Sequence, residues 1–177
     1  MSPQAPSCDE CGGNAWAALR KEGHEVLECT LCGALSGDDQ AVTEILLARQ
    51  ARERGLEPVV FPLVRVLEKV PRLRIVRASP GSPERRIWPV VFLSTEGEKG
   101  LRAIERLAKS LALHSRDLRL HWFLEVEFQE RLLFLLQPRL FQAPAQVSDR
   151  DVLDAQADLR TLARLLDMDM KLHWWQG

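Results

Sequence analysis

Four cysteines in two closely spaced pairs constrain this chain more than any other feature of its sequence. Two residues separate Cys8 from Cys11, Cys29 and Cys32 repeat that spacing, and a glycine follows each pair. Cysteines spaced in this way are typical ligands of Zn2+, which binds four thiolates in a tetrahedron. The glycine can adopt positive φ, so the backbone can turn back toward the sulfur atoms. The spacing predicts one metal ion held by Cys8, Cys11, Cys29 and Cys32.

The segment between the two pairs is predicted to form a β-hairpin, with strands at residues 15–20 and 25–28 and a turn at Gly23. With this hairpin, the double CxxCG pattern resembles the zinc-ribbon family over residues 6–36. The resemblance implies a Zn2+ ion. Iron in a rubredoxin-type site is the less favoured ion, and two disulfides are the alternative without metal. Because four thiolates leave no open coordination position, we expect a structural site and not a catalytic one.

The charge of the predicted ribbon bears on its partners. Residues 1–37 contain five acidic residues against two basic ones, and a dication bound by four thiolates adds two further negative charges. Nucleic-acid binding depends on cations that replace the counterions of phosphate. The ribbon is therefore expected to support folding or to dock a protein.

The remaining residues, 37–177, are predicted to form a second domain that contains both helices and strands. The predicted fold class of the chain is therefore α+β. A helix is expected from Asp38 to Gly55, where an apolar stripe ends at a glycine. Strands at 59–67 and 73–76 are predicted to form a hairpin, and a breaker-rich loop follows at 79–84. The next elements are a strand at 87–93, a helix at 98–113, strands at 118–126 and 132–136, a helix at 149–166 and a strand at 170–174. The order βαββαβ over 85–176 is the ferredoxin-like arrangement.

Both faces of this predicted sheet are expected to be covered. The strands at 87–93 and 132–136 are apolar on both sides, as in sheets that have a layer on each face. By alternation, Leu118, Leu120, Trp122 and Leu124 are predicted to face the helices. The second face is then covered either by residues 36–76 or by another subunit. Pro89 fits poorly inside a strand, because proline belongs at strand starts, edges or bulges.

A basic segment is the only candidate anion or nucleic-acid surface. Residues 49–90 contain ten basic residues against four acidic ones, and the candidate contacts are Arg72, Arg74, Arg85 and Arg86. A solvated face in an arginine-rich chain is the alternative explanation. The motifs of P-loops, dinucleotide-binding folds, zinc proteases and serine hydrolases do not occur in the sequence.

We therefore expect a zinc-binding, non-enzymatic adaptor or regulatory protein that acts through a protein partner or a homodimer. The alternative is a nucleic-acid-binding or transcription-associated protein that uses the basic segment. No small-molecule substrate is indicated. No apolar run approaches the roughly 20 residues that span a bilayer, and the start of the chain lacks the pattern of a signal peptide. The expected location is cytoplasmic.

Overall fold

The computed structural model describes residues 7–21, 23–140 and 146–172. The chain forms two compact units, Met1–Arg54 and Gly55–Gly177, and each is described by itself. The sequence-based boundary after residue 36 stays a prediction, since compactness alone does not show which segment folds independently.

The first unit contains a three-stranded antiparallel sheet in the order β1-β2-β3. Its strands are β1 Trp16–Lys21, β2 His24–Cys29 and β3 Leu35–Gly37. The β1–β2 register runs from Trp16 opposite Cys29 to Lys21 opposite His24, so the predicted hairpin is confirmed. The strand β3 was not expected, because three residues are too few to show a period in the sequence.

Helix α1, Asp39–Glu53, completes the first unit. The Asp38 carboxylate caps its start by accepting hydrogen bonds from the N–H groups of Gln40 and Ala41, at 3.1 and 3.0 Å. Gly55 follows the helix with φ +66°, as is common after a helix C-terminus. The predicted helix is confirmed.

The second unit begins with helix α2, Phe61–Leu67, where the sequence predicts a strand over 59–67. That prediction is wrong, and with it the predicted hairpin. All residues of α2 except Pro62 and Arg65 are buried. An apolar run this continuous shows no alternation of polar and apolar residues that would distinguish a helix from a strand. The valines favour a strand locally. Packing overrides that preference, and Pro62 is tolerated in the first helical turn.

A four-stranded antiparallel sheet forms the centre of the second unit, in the order β4-β5-β7-β6. Its strands are β4 Leu73–Ser79, β5 Val90–Thr95, β6 His121–Gln129 and β7 Arg131–Arg139. Helix α3, Gly97–Leu113, connects β5 to β6, and these two strands run parallel with β7 between them. Pro89 lies directly before β5 and therefore interrupts no strand.

The ferredoxin-like arrangement is not confirmed. Helix α4 extends over Asp149–Lys171, so the predicted strand at 170–174 is wrong for Met170 and Lys171, and Leu172 is the helix C-cap. The remainder of that predicted strand, His173 and Trp174, lies outside the described residues. The helix continues because Met170 extends the stripe of Leu162 and Leu166 at four-residue spacing. The place beside β5 is occupied by β4, which precedes it in the chain.

The helices described for the second unit, α2, α3 and α4, pack on one face of its sheet, where they form the main core. The strands contribute alternate residues to this core, which include Val91, Leu93, Trp122, Phe134 and Leu136. The predicted facing is confirmed, since Leu118, Leu120 and Trp122 are buried there and Leu124 packs against them. The opposite face of the sheet carries Phe92 and Leu135, which lie opposite each other in the β5–β7 register.

Among the described residues, none of the helices combines the length and apolar character that crossing a membrane requires.

Candidate metal centre

The two cysteine pairs lie in turns with the same backbone hydrogen bonds. In the first turn, the N–H of Cys8 donates to the Gly13 carbonyl at 2.6 Å, and the N–H of Gly12 donates to the Cys8 carbonyl at 2.7 Å. The second turn repeats both bonds at 2.8 Å, from Cys29 to Ala34 and from Gly33 to Cys29. The repeated CxxCG sequence thus folds into two equivalent knuckles.

Glycine is required at one position in each knuckle. Gly12 has φ +71° and Gly33 has φ +77°, a region that residues with a side chain rarely adopt. Each glycine directly follows the second cysteine of its pair. The positive φ lets its N–H return to the carbonyl of the first cysteine, which closes the turn.

The four sulfur atoms lie together at the spacing of a tetrahedral site. The Sγ atoms of Cys8, Cys11, Cys29 and Cys32 all lie within 4.8 Å of one another. Across the knuckles, Cys8 Sγ is 3.7 Å from Cys32 Sγ, and Cys11 Sγ is 3.6 Å from Cys29 Sγ. A tetrahedron with metal–sulfur bonds of about 2.3 Å has edges of about 3.8 Å, whereas bonded sulfurs are about 2.05 Å apart. The geometry fits a metal ion and not two disulfides, and all four cysteines are free.

Each knuckle supplies one buried and one exposed thiol. Cys8 and Cys29 are 2% and 1% exposed, whereas Cys11 and Cys32 are exposed. The first cysteine of each pair therefore faces the interior of the unit, and the second faces solvent. Because protein supplies four sulfur ligands, the arrangement leaves no position for a substrate or an activated water.

The thiols influence one another's protonation. Hydrogen bonds from the backbone N–H groups of Cys32 and Leu31 lower the pKa of Cys29 to about 7. The backbone N–H of Ala34 also acts to lower the pKa of Cys32, but the crowded thiols of its three neighbours and burial outweigh it and raise that pKa to about 12. Four thiolates so close together repel unless a cation lies among them. A metal ion must therefore displace protons from this cluster when it binds.

Two contacts outside the ligand set hold the second knuckle in place. Thr30 donates from its N–H and its hydroxyl to the carbonyl of Ala15, at 3.0 and 3.2 Å, which ties the knuckle to the residue before β1. From α1, Arg49 donates to the Gly33 carbonyl at 3.3 Å and pairs with Glu28 at 2.7 Å. The sequence did not identify Arg49 as part of the site. Its position on the inner side of a predicted helix was the one available signal.

His24 lies away from the sulfur cluster. It begins β2, and Cys29 ends the same strand. The two lie five positions apart along the strand, a distance of about 16 Å, so His24 cannot share the ion.

The structure does not bring the four candidate arginines into one cluster. Arg72 lies in the turn before β4, with φ +64°, and Arg74 pairs with Glu96 at 3.1 Å. Arg85 and Arg86 lie in the turn after β4, where Arg86 pairs with Asp149 at 3.2 Å. Arg74 is the second residue of β4 and Arg85 and Arg86 follow the far end of that strand, so the rest of β4, about 16 Å long, separates the two groups. Anion binding by these arginines stays a prediction.

Comparison of the chain with protein-family models, with curated proteins and with solved structures finds no match.

Proposed function

We propose that this chain is a zinc-stabilised, non-enzymatic adaptor or regulatory protein that acts through protein contacts. The observation that carries the proposal is the group of four Sγ atoms within 4.8 Å of one another, on two equivalent knuckles. A set of four thiolates suits Zn2+ or iron among biological ions. The function of such a site is to fix the fold of a segment with a small core.

Zinc is favoured over iron by the surroundings of the sulfurs. Thiolate iron sites in electron-transfer proteins depend on a shell that controls solvent access and therefore the potential. Here Cys11 and Cys32 are exposed, and Trp16 is the one aromatic residue in the sequence between the first and last cysteine. If this were a redox iron site, two of its four ligands would be exposed to solvent. A structural Zn2+ ion, which changes no oxidation state, tolerates this exposure.

A protein partner is favoured over nucleic acid by the charge of the first unit. Residues 1–54 contain nine acidic residues against five basic ones, and the metal centre would add two negative charges. Two of the basic residues, Lys21 and Arg49, already pair with acids within the unit, at 3.9 and 2.7 Å. Such a surface repels phosphate and suits a basic protein surface.

Elemental analysis of the purified protein tests the metal site directly. We expect one zinc per chain and no stoichiometric iron, and we expect Cys8→Ser or Cys29→Ser to lose the metal because each removes a buried ligand. His24→Ala is the matched control in the same hairpin and should keep full metal content. Metal-free protein whose four thiols react at once with a labelling reagent would contradict the proposal.

The nucleic-acid alternative predicts binding that weakens steeply with salt. Arg72 and Arg85 are exposed and carry this alternative, since Arg74 and Arg86 pair with acids. Retention on heparin or duplex DNA should be measured at increasing ionic strength, with the wild type beside the Arg72→Glu/Arg85→Glu variant. Strong retention of the wild type that is lost in the variant would favour the nucleic-acid-binding function over the adaptor function. Equal, weak retention of both proteins favours the adaptor.

A further inference from the structure

The second face of the four-stranded sheet carries charges of opposite sign at its two edges. One row of cross-strand neighbours runs from Arg77 on β4 through Phe92 and Leu135 to Glu125 on β6. Directly opposed residues point to the same face, so these four side chains lie side by side. Arg77 and Glu125 are exposed, and Phe92 and Leu135 are half-buried. The row is cationic at one end, apolar in the middle and anionic at the other end.

The same polarity recurs further along the strands. Arg74 lies opposite Ser94 in the β4–β5 pair, and Glu127 lies opposite Leu133 in the β6–β7 pair. Arginines thus follow the β4 edge of this face and glutamates follow the β6 edge. The edges are three strand spacings apart, about 14 Å, so Arg77 and Glu125 cannot pair within one sheet.

We propose that a second copy of this chain packs on this face, related to the first by a two-fold axis parallel to the strands. Rotation by 180° about that axis places the β6 edge of one sheet over the β4 edge of the other. Positions along the strands do not change, so each row of residues lies opposite the same row of the other copy. Arg77 then faces Glu125 of the other copy, and Phe92 faces Leu135 of the other copy. A two-fold interface requires a patch that is complementary to itself, and this row meets that requirement.

Aligned packing of two sheets about 10 Å apart suits this arrangement, since their strands lie within about 30° of parallel. The helices of the second unit pack on the opposite face of the sheet, so none of them competes with a second copy for this one. Four strands of about six residues give a face of roughly 19 by 20 Å. An interface of this size belongs to the small class, so the dimer should dissociate on dilution.

Charge reversal at the two ends of the row tests the two-fold geometry. In Arg77→Glu, both ends of the interface bring glutamate against glutamate, and in Glu125→Arg both bring arginine against arginine. Because symmetry places each repulsion twice, we expect either variant alone to dimerise at least about tenfold more weakly than the wild type. An equimolar mixture of the two variants restores an Arg–Glu pair at each end. The mixture should therefore form heterodimers at concentrations where each variant alone is mostly monomeric.

Sedimentation velocity of the full chain over a wide concentration range, with one variant carrying a fluorescent label, measures both effects. Arg164→Glu is the matched control, since it reverses an exposed charge on α4, on the helical side of the sheet, and should dimerise like the wild type. Unchanged far-UV circular dichroism and metal content establish that each variant is folded. The pair Arg74→Glu and Glu127→Arg repeats the test if a first variant fails to fold.

Three results would overturn the proposal. If the wild type stays monomeric at all concentrations, no second copy covers this face. Either another part of the chain covers it or nothing does. A wild-type dimer that both single variants leave intact would place the interface elsewhere. Single variants that are monomeric and remain so when mixed would contradict the two-fold pairing of Arg77 with Glu125.

Discussion

Two buried carboxylates on α4 show how single residues fix this fold. Asp158 is 2% exposed and accepts hydrogen bonds from the N–H groups of Arg119 and Leu120, both at 3.0 Å, and from the Trp122 indole at 3.1 Å. Those donors lie just before β6 and at its second residue, and the carboxylate supplies the hydrogen bonds that water can no longer give them once they are buried. About three turns later, Asp169 accepts from the buried Ser110 hydroxyl at the end of α3. The two acids fasten α4 to its neighbours at two points.

His114 makes the second of these points sensitive to pH. Its Nε2 lies 3.2 Å from both carboxylate oxygens of Asp169, and its Nδ1 lies 3.2 Å from Asp117. Partial burial acts to lower the pKa of His114, but the hydrogen bonds and charges of Asp169 and Asp117 outweigh it, so the pKa is raised above its ordinary value. Since the folded state then binds the proton more tightly than the unfolded state, the protonated imidazole stabilises the fold.

We expect this contribution, on the order of 1 kcal/mol, to depend on pH in a defined direction. It is fully present below about pH 6.5, the ordinary value for histidine, and is lost as pH rises through the raised pKa. Urea unfolding of the wild type and His114→Gln from pH 5 to 9 should give free energies of unfolding that differ most below about pH 6.5 and converge in alkali. A difference independent of pH would contradict this assignment.

At the scale of elements, the sequence predicts those whose pattern is periodic and local. The ribbon hairpin, α1, α3 and the inward-facing residues of the 118–126 segment all follow from alternation, helical stripes or glycine at a turn. The helix α2 could not be predicted, because Phe61–Leu67 has no polar period and its type is decided by the layer that it packs on. The end of α4 was mistaken for a strand because Met170 and Leu172 alternate with charged or polar neighbours over too few residues to reveal helical spacing. The four ligands came from spacing alone, whereas Arg49 required the contact between α1 and the second knuckle.

The buttressing of the second knuckle by α1 leads to a prediction about metal retention. Removing the Arg49 side chain leaves the Gly33 carbonyl and Glu28 without this donor, so the knuckle is held less firmly. Groups that orient ligands from outside the coordination sphere typically contribute tenfold or more to metal affinity. We expect Arg49→Ala to bind Zn2+ about tenfold more weakly in competition with a chromophoric chelator. Arg52→Ala, an exposed position on the same helix, is the control, and equal losses in both variants would argue against a specific buttress.

At the scale of the whole molecule, the two units depend on different sources of stability. The main core is built from residues of the second unit, and the four cysteines belong to the first. The first unit buries few apolar side chains, among them Val26, and relies on its metal ion in our proposal. Loss of the ion should therefore affect one unit far more than the other.

Chelation tests this division. We expect removal of the metal to abolish the cooperative unfolding of the first unit and to shift the fluorescence of Trp16, while most helical circular dichroism remains because α2, α3 and α4 belong to the second unit. Refilling with Zn2+ should restore both signals, and Mg2+, which prefers oxygen ligands, should not. Collapse of all helical signal on chelation would show that the second unit also needs the ion.

The position of β7 has a consequence for how the chain acquires this structure during synthesis. Of the strands in the described part of the chain, β7 is the last to emerge, yet it lies inside the sheet, with β5 on one side and β6 on the other. The β4–β5 pair can form as a local hairpin, but its inner edge stays without its neighbour until residue 139 has left the ribosome. Until then that edge is open to wrong partners, because unpaired strand edges are where nascent chains misassemble. The sheet must therefore be completed late in synthesis. Either the β6–β7 hairpin forms first and then pairs with β5, or β7 pairs with β5 and β6 at the same time.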